Sequence, residues 1–177
     1  MKDFLIIGNL NAVTYKEVFP LIKNGQVRLG VNSRMDFAYQ GERVNGIASV
    51  WFTTLTHDHV NPPIVLTKRY NPADYPKYDN YDAIEVSRTE NIPMDYDGVM
   101  GVPISFLDKY CPEQFEIVDI AHRGAGKYLL RTKVYTAQDS PYYSTLNATA
   151  VLVVDGVFQP IYFRILIKRK QKSFKEK

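Results

Sequence analysis

The chain has 177 residues, 45% hydrophobic and 23% charged, with a formal net charge of +3. That length suits one domain with a sizeable core, and that composition excludes a chain disordered throughout. The single cysteine, Cys111, excludes an intrachain disulfide, and no apolar run approaches the ~18 residues that a membrane helix needs.

Residues 3–8, DFLIIG, read as a short buried parallel strand. Four apolar residues after Met1-Lys2-Asp3 are too few for a signal peptide, so a soluble, cytoplasmic protein with no membrane partner is expected. Thr14-Tyr15-Lys16-Glu17 is a capping-box pattern. The helix it predicts carries Val18, Phe19, Leu21 and Ile22 and ends at Asn24-Gly25, with Pro20 kinking or splitting it. Residues 26–31 form a second strand, completing a βαβ unit. Residues 32–46 are a loop or a loose edge hairpin. Residues 48–55, ASVWFTTL, are a strong strand, with 64–68 as an antiparallel partner across the turn THDHVNPP. From 70 to 96 polar residues dominate, with a short strand at 83–86. Strands follow at 115–121, 127–136, 148–154 and 161–168, the last two joined as a hairpin around Asp155-Gly156.

Several motifs invite chemistry. Asn61-Pro62-Pro63-Ile64 places two prolines in a row, which rigidifies a hairpin connection, and Ile64 offers no ring to stack on a base. His57 and His59 could share a metal, yet structural zinc wants four ligands and the other histidine is the distant His122. No metal site and no catalytic residue are assigned. Asp95-Tyr96-Asp97-Gly98 is read first as a turn, then as a recognition surface, then as acid–base machinery. Asn147-Ala148-Thr149 matches a glycosylation sequon, irrelevant to a cytoplasmic chain. Cys111 is a passive thiol in a reducing compartment.

The charge is unevenly spread. Residues 164–177 hold seven basic side chains and one acidic, leaving fifteen basic against eighteen acidic elsewhere. Such an end contacts phosphate or is a solvated terminus. Lys68-Arg69-Tyr70 and Lys168-Arg169-Lys170, with Lys172 beyond, pair cations with nearby aromatics, as nucleic-acid surfaces do. Thirteen Tyr and nine Phe suit strands, and equally a contact surface.

KYDNYDAIEV (77–86) and IPMDYDGVMGVPISFLDKYCPEQFEIV (92–118) together resemble the C-terminal region of EcoRI-type adenine-specific DNA methyltransferases. FLIIGNLNAVTYKEVFPLIKNG, SVWFTTL and YFRILIKRK agree with it in the family's order. The resemblance implies an α/β fold leaning to α+β. Residues 1–70 would be the end of a Rossmann-like methyltransferase sheet, one βαβ unit. Residues 71–177 would be a mostly antiparallel, β-rich target-recognition region, the two forming one compact unit. It also implies methyl transfer from S-adenosylmethionine to adenine N6 in duplex DNA. The donor-binding Gly turn and the Asn-Pro-Pro-Phe motif precede FLIIGN in the family, so no cofactor is expected in this chain. A truncated or split methyltransferase follows, inactive alone and contributing DNA recognition, with Tyr96, Asp97, Gly98, Met100 and Gly101 as its platform. The alternative is a phage- or mobile-element-encoded protein that binds a host methyltransferase, nucleic acid or a defence protein. Both readings leave the edge of FLIIG to be covered by a complementary half or a homodimer.

Overall fold

The computed structural model describes residues 2–30, 35–55, 61–124 and 126–170. The chain divides into two units, Met1–Val60 and Asn61–Lys177. Most regular structure among the described residues is strand, with short helices, an α+β fold. No described helix is long and apolar enough to cross a membrane.

In the first unit, strand β1 (Leu5–Asn9) runs into a 3-10 turn at Leu10–Thr14. The Thr14 hydroxyl donates to the Asn11 carbonyl at 2.8 Å, so it is spent inside that turn and forms no capping box. Helix α1 (Phe19–Lys23) starts later, with Pro20 in its first turn. There the missing N–H has no helical partner to lose, so Pro20 initiates a short helix instead of kinking a long one. The helix ends as expected, with Gly25 at φ +68°. Strand β2 (Arg28–Leu29) follows, then a hairpin of β3 (Met35–Tyr39) and β4 (Glu42–Ile47), then β5 (Ser49–Thr53).

The sheet order is β1-β5-β2. Strand β5 is antiparallel to both neighbours, pairing Leu5 with Thr53, Asn9 with Ser49 and Leu29 with Phe52. Strands β1 and β2 therefore share a direction, but β5 lies between them. This corrects the reading of residues 3–8 as a buried parallel strand. Strand β1 is an antiparallel edge, and Leu5, Ile6 and Ile7 are 54%, 56% and 42% exposed. Apolar residues not alternating with polar ones predict burial only if something covers both faces. The core of this unit lies instead under Leu10, Val13, Phe19, Ile22, Val27, Val50 and Phe52.

In the second unit, residues 64–68 do not pair with β5. Ile64 exchanges two hydrogen bonds with the Gln114 side chain, at 2.7 and 2.8 Å, and Lys68 bridges Pro93. Strand β6 (Ile84–Glu85), β7 (Met100–Pro103) and β8 (Phe115–Ala121) precede a single helical turn, α2 (Tyr143–Leu146). Strands β9 (Val151–Val154), β10 (Val157–Pro160) and β11 (Arg164–Arg169) complete the unit.

The hairpin around Asp155-Gly156 exists, but its second arm is β10. Both turn residues have positive φ, +51° and +76°, the geometry that twists with its strands. Strand β11 instead sits centrally in a sheet of order β6-β7-β11-β8, antiparallel to β7 and β8. Its Ile165, Leu166 and Ile167 are fully buried. Residues 127–136 are not a strand. Side chains take over the ladder's role: Asn147 accepts from the Tyr135 N–H at 2.9 Å and donates to its carbonyl at 2.8 Å. The buried Asn80 likewise holds the N–H of Val151 and the carbonyl of Thr149. Tyr78, Tyr81, Ala83, Ala121, Ala150, Leu152 and Leu166 pack as one core cluster.

Candidate nucleic-acid interface

The second unit draws its two basic–aromatic clusters toward one turn, residues 95–98. Asp95 accepts the Tyr70 N–H at 2.7 Å, and the Met94 N–H donates to the Lys68 carbonyl at 2.9 Å. The 68–70 stretch is thereby laid alongside 93–95. The rings of Tyr70 and Tyr96 lie 4.6 Å apart, and Tyr75 extends the group at 5.9 Å from Tyr70. Tyr75 is anchored by its hydroxyl, which donates to the Asn91 carbonyl at 2.8 Å. Burial, then the neighbouring Tyr70 and Asp82, raises the Tyr96 phenol, so it stays neutral and an aromatic contact.

From the same turn Asp97 faces Arg169, Oδ1 to Nη2 at 4.0 Å. Strand β11 delivers that arginine: Arg169 pairs with Phe115, Lys168 with Glu116, and the Lys170 N–H donates to the Gln114 carbonyl. Asp97, Glu116, Lys168, Arg169 and Lys170 line a groove of 520 Å³. Three cations against two carboxylates leave it weakly positive. Lys168 and Lys170 are exposed, as are Lys68 and Arg69. Lys68 also lines a neighbouring polar cavity of 310 Å³ with Asp74, Tyr75, Glu85, Ser87 and Asn91. Lys172 lies outside the described residues.

The 96–101 platform is divided. Tyr96 and Gly98 are half-buried and Asp97 is exposed. The Tyr96 ring folds over Gly98, so close that a Cβ there would sit 2.6 Å from its Cζ. Met100 and Gly101 are buried in β7, which corrects their place on the platform: they form its floor and offer no surface. Gly101 is small because the Tyr78 ring lies on it. The Tyr78 hydroxyl donates to Glu85, which also receives the Arg164 guanidinium at 2.7 and 3.1 Å. Burial first, and then Glu85, drives the Tyr78 phenol well above its ordinary range, fixing it as a donor. This network ties β6, β7 and β11 together under the turn. Nothing in spacing flags it, since Glu85 and Arg164 are 79 residues apart.

The other motifs resolve into structure. Asn61 donates to the Tyr110 carbonyl at 3.1 Å, and with the Ile64–Gln114 exchange this fastens 61–64 onto 110–114. The Pro-Pro pair thus rigidifies a docked segment and not a hairpin turn. His57, Asp58 and His59 lie outside the described residues. Among the described residues no three metal-ligating side chains converge. Cys111 is a buried free thiol.

Comparison with known proteins supplies the lineage. The chain is 44% identical to the Type II methyltransferase M.EcoRI of Escherichia coli over 140 residues, covering 66% of this chain and 42% of that protein. It is 36% identical over 193 residues to the Type II methyltransferase M.MgeORF184P of Mycoplasma genitalium, covering 96% and 58%. The Type II methyltransferase M.MpnI of Mycoplasma pneumoniae is 36% identical over 159 residues, covering 76% and 49%. The chain spans about half the length of these curated relatives. No solved structure matches it. The family model described as adenine-specific methyltransferase EcoRI matches residues 1–170, and on this match the chain belongs to that methyltransferase family.

Proposed function

We propose that this chain serves N6-adenine methylation of duplex DNA as the portion that holds the DNA, the methyl donor and target amino group being handled by residues outside these 177. The convergence of Tyr70, Tyr96 and Arg169 on one turn carries the reading. Cations that neutralise phosphates beside rings that contact sugars or bases are what such a surface needs. The strand order β1-β5-β2 supports the reading of residues 1–70 as holding the end of a Rossmann-like sheet, where an antiparallel strand follows a strand–helix pair.

S-adenosylmethionine, the donor the family implies, finds no open cradle at the end of β1. Strand β1 ends on Gly8 and Asn9, which pair with Val50 and Ser49, and runs directly into the 3-10 turn, where a donor cradle would need open backbone. A Cβ on Gly8 would meet the Phe52 ring at 3.0 Å, so this glycine makes room for packing. The Asn9 side chain accepts the Asn11 N–H at 2.8 Å and is already used. No step of the transfer is therefore assigned to this chain, and the isolated protein is expected to be inactive.

The test is a titration of a labelled duplex at two salt concentrations. Affinity no tighter than about micromolar at physiological salt is expected, falling with salt at a slope of roughly −0.9 per phosphate neutralised. Lys168→Ala/Arg169→Ala/Lys170→Ala should weaken binding and flatten the slope. Unchanged binding by this variant would remove the groove from the reading. A second reading, an interaction protein, is favoured by the uncovered β1: either a complementary methyltransferase portion or a second copy would seat on Leu5, Ile6 and Ile7.

A further inference from the structure

A second group of basic residues is Arg123, Lys127, Arg131 and Lys133. No acidic residue occurs between His122 and Gln138. Three described carboxylates near this stretch are engaged. Asp139, which feels the Lys133 charge, accepts the Thr136 N–H at 2.8 Å and hydroxyl at 2.9 Å. Asp119 is buried and accepts the backbone N–H of Lys127 at 3.0 Å and of Leu129 at 3.3 Å. Asp79 takes the Lys133 ammonium at 2.9 Å and the Tyr135 hydroxyl at 2.8 Å.

Residues 126–134 are also held in shape. Tyr128 adopts φ +55°, a conformation uncommon outside glycine and kept only where the surroundings impose it. Its hydroxyl donates to the Arg123 carbonyl at 2.6 Å, and the Arg131 guanidinium lies 4.9 Å from its ring centre. Arg131 is in turn fixed by the Asn147 side chain and carbonyl, at 2.8 and 3.1 Å. Tyr128, Arg131, Thr132, Lys133 and Val134 line a groove of 380 Å³, beside an exposed Leu129.

We propose that this loop is a second phosphate-contacting surface for duplex DNA, led by the exposed Lys127 and Arg123 and backed by the Arg131–Lys133 groove. It rests on the reading above that DNA is the partner. A fixed loop that presents Arg123 and Lys127 outside any ion pair among the described residues, with backbone held by a buried carboxylate, matches how proteins take a register on the duplex backbone. Its position adds a length requirement. The loop follows the Ala121 end of β8, where Arg164 pairs, whereas Arg169 pairs at the Phe115 end. At about 3.4 Å per residue the ends of β8 are ~20 Å apart. Along the axis of duplex DNA that is about six phosphates of one strand, so a duplex of two helical turns is long enough to span the separation.

The experiment titrates a labelled duplex of about two helical turns at several salt concentrations. It uses the intact chain, Lys127→Ala, Lys127→Arg, Arg123→Ala/Lys127→Ala and the triple groove variant. Lys127→Ala should flatten the salt slope by about 0.9 and weaken binding roughly fivefold near 0.15 M salt. The double variant should do so about twice over on the slope scale, and Lys127→Arg should bind as the intact chain does. Thermal melts confirm that each variant is folded. If the groove variant loses affinity while both alanine loop variants keep the intact slope, the loop touches no phosphate and the proposal falls, leaving the groove reading in place. If the intact chain binds no duplex, both fall. If the loop variants alone lose affinity, the loop stands and the groove does not.

Discussion

Gly101 shows how one missing side chain organises the second unit. A methyl group there would fall 2.8 Å from Tyr78 Cε2 and 2.9 Å from Cζ. The ring cannot yield, because it is buried and its hydroxyl is committed to Glu85. Gly101→Ala is expected to destabilise the protein by about 1–3 kcal/mol, the usual cost of overpacking, read as a lower urea midpoint with an unchanged m-value. A midpoint equal to that of the intact chain would mean that Tyr78 moves freely. Asp79 supplies a pH-dependent counterpart. The Lys133 hydrogen bond, and then that of Tyr135 against the opposing effect of burial, holds its carboxyl below the ordinary range. A depressed carboxylate stabilises the fold above its unfolded pKa, about 3.9, and that contribution disappears as pH falls through the folded value. Asp79→Asn should therefore lower the melting temperature near neutrality, and the gap should close below about pH 4. A gap that stays constant from neutral pH to pH 3 would assign Asp79 no electrostatic role.

At the scale of elements, what was legible in the sequence was local. FEIVDIA reads as a strand and is β8, residue for residue. The Asn24-Gly25 stop and the Asp155-Gly156 turn are where their dihedral demands place them. Partnership was not legible. The stretch 161–168 reads as a strand but carries no mark that it inserts between β7 and β8, pairings made 43 to 67 residues away in sequence. The stretch 127–136 has strand-like composition, yet Asn80, Asp119 and Asn147 satisfy its neighbourhood through side chains. No periodicity reports that substitution. The same limit applies to the interface. Basic clusters at 68–70 and 168–170 were visible as composition. The turn that joins them through Asp95, Tyr96 and Asp97 depends on long-range pairing, as does the burial of Met100. The basic residues between 123 and 133 are spaced too widely to form a run, and they become one surface only when Asp119 and Tyr128 bend the backbone around them.

At the scale of the whole molecule, the unresolved demand is strand β1. It is terminal in its sheet, and three consecutive apolar side chains on it are exposed. Successive strand residues point to opposite faces, so both faces of β1 are uncovered, along with the free hydrogen-bonding edge. Edges of this kind recruit another chain unless charge, proline or a bulge blocks them, and Leu5-Ile6-Ile7 has none of these. The pure protein is therefore expected to sediment as a species larger than a monomer at micromolar concentration, or to do so when mixed with the part of M.EcoRI that this chain does not cover. Burying one Ile side chain is worth about 1.5–3 kcal/mol, and a two-fold interface uses it twice. Ile6→Lys should thus weaken self-association roughly a hundredfold or more, while leaving α1 and β5, whose contacts face the core, intact by circular dichroism. A clean monomer under both conditions would mean that β1 tolerates water on every side, and both the complementary-portion and second-copy readings of the partner would fail together.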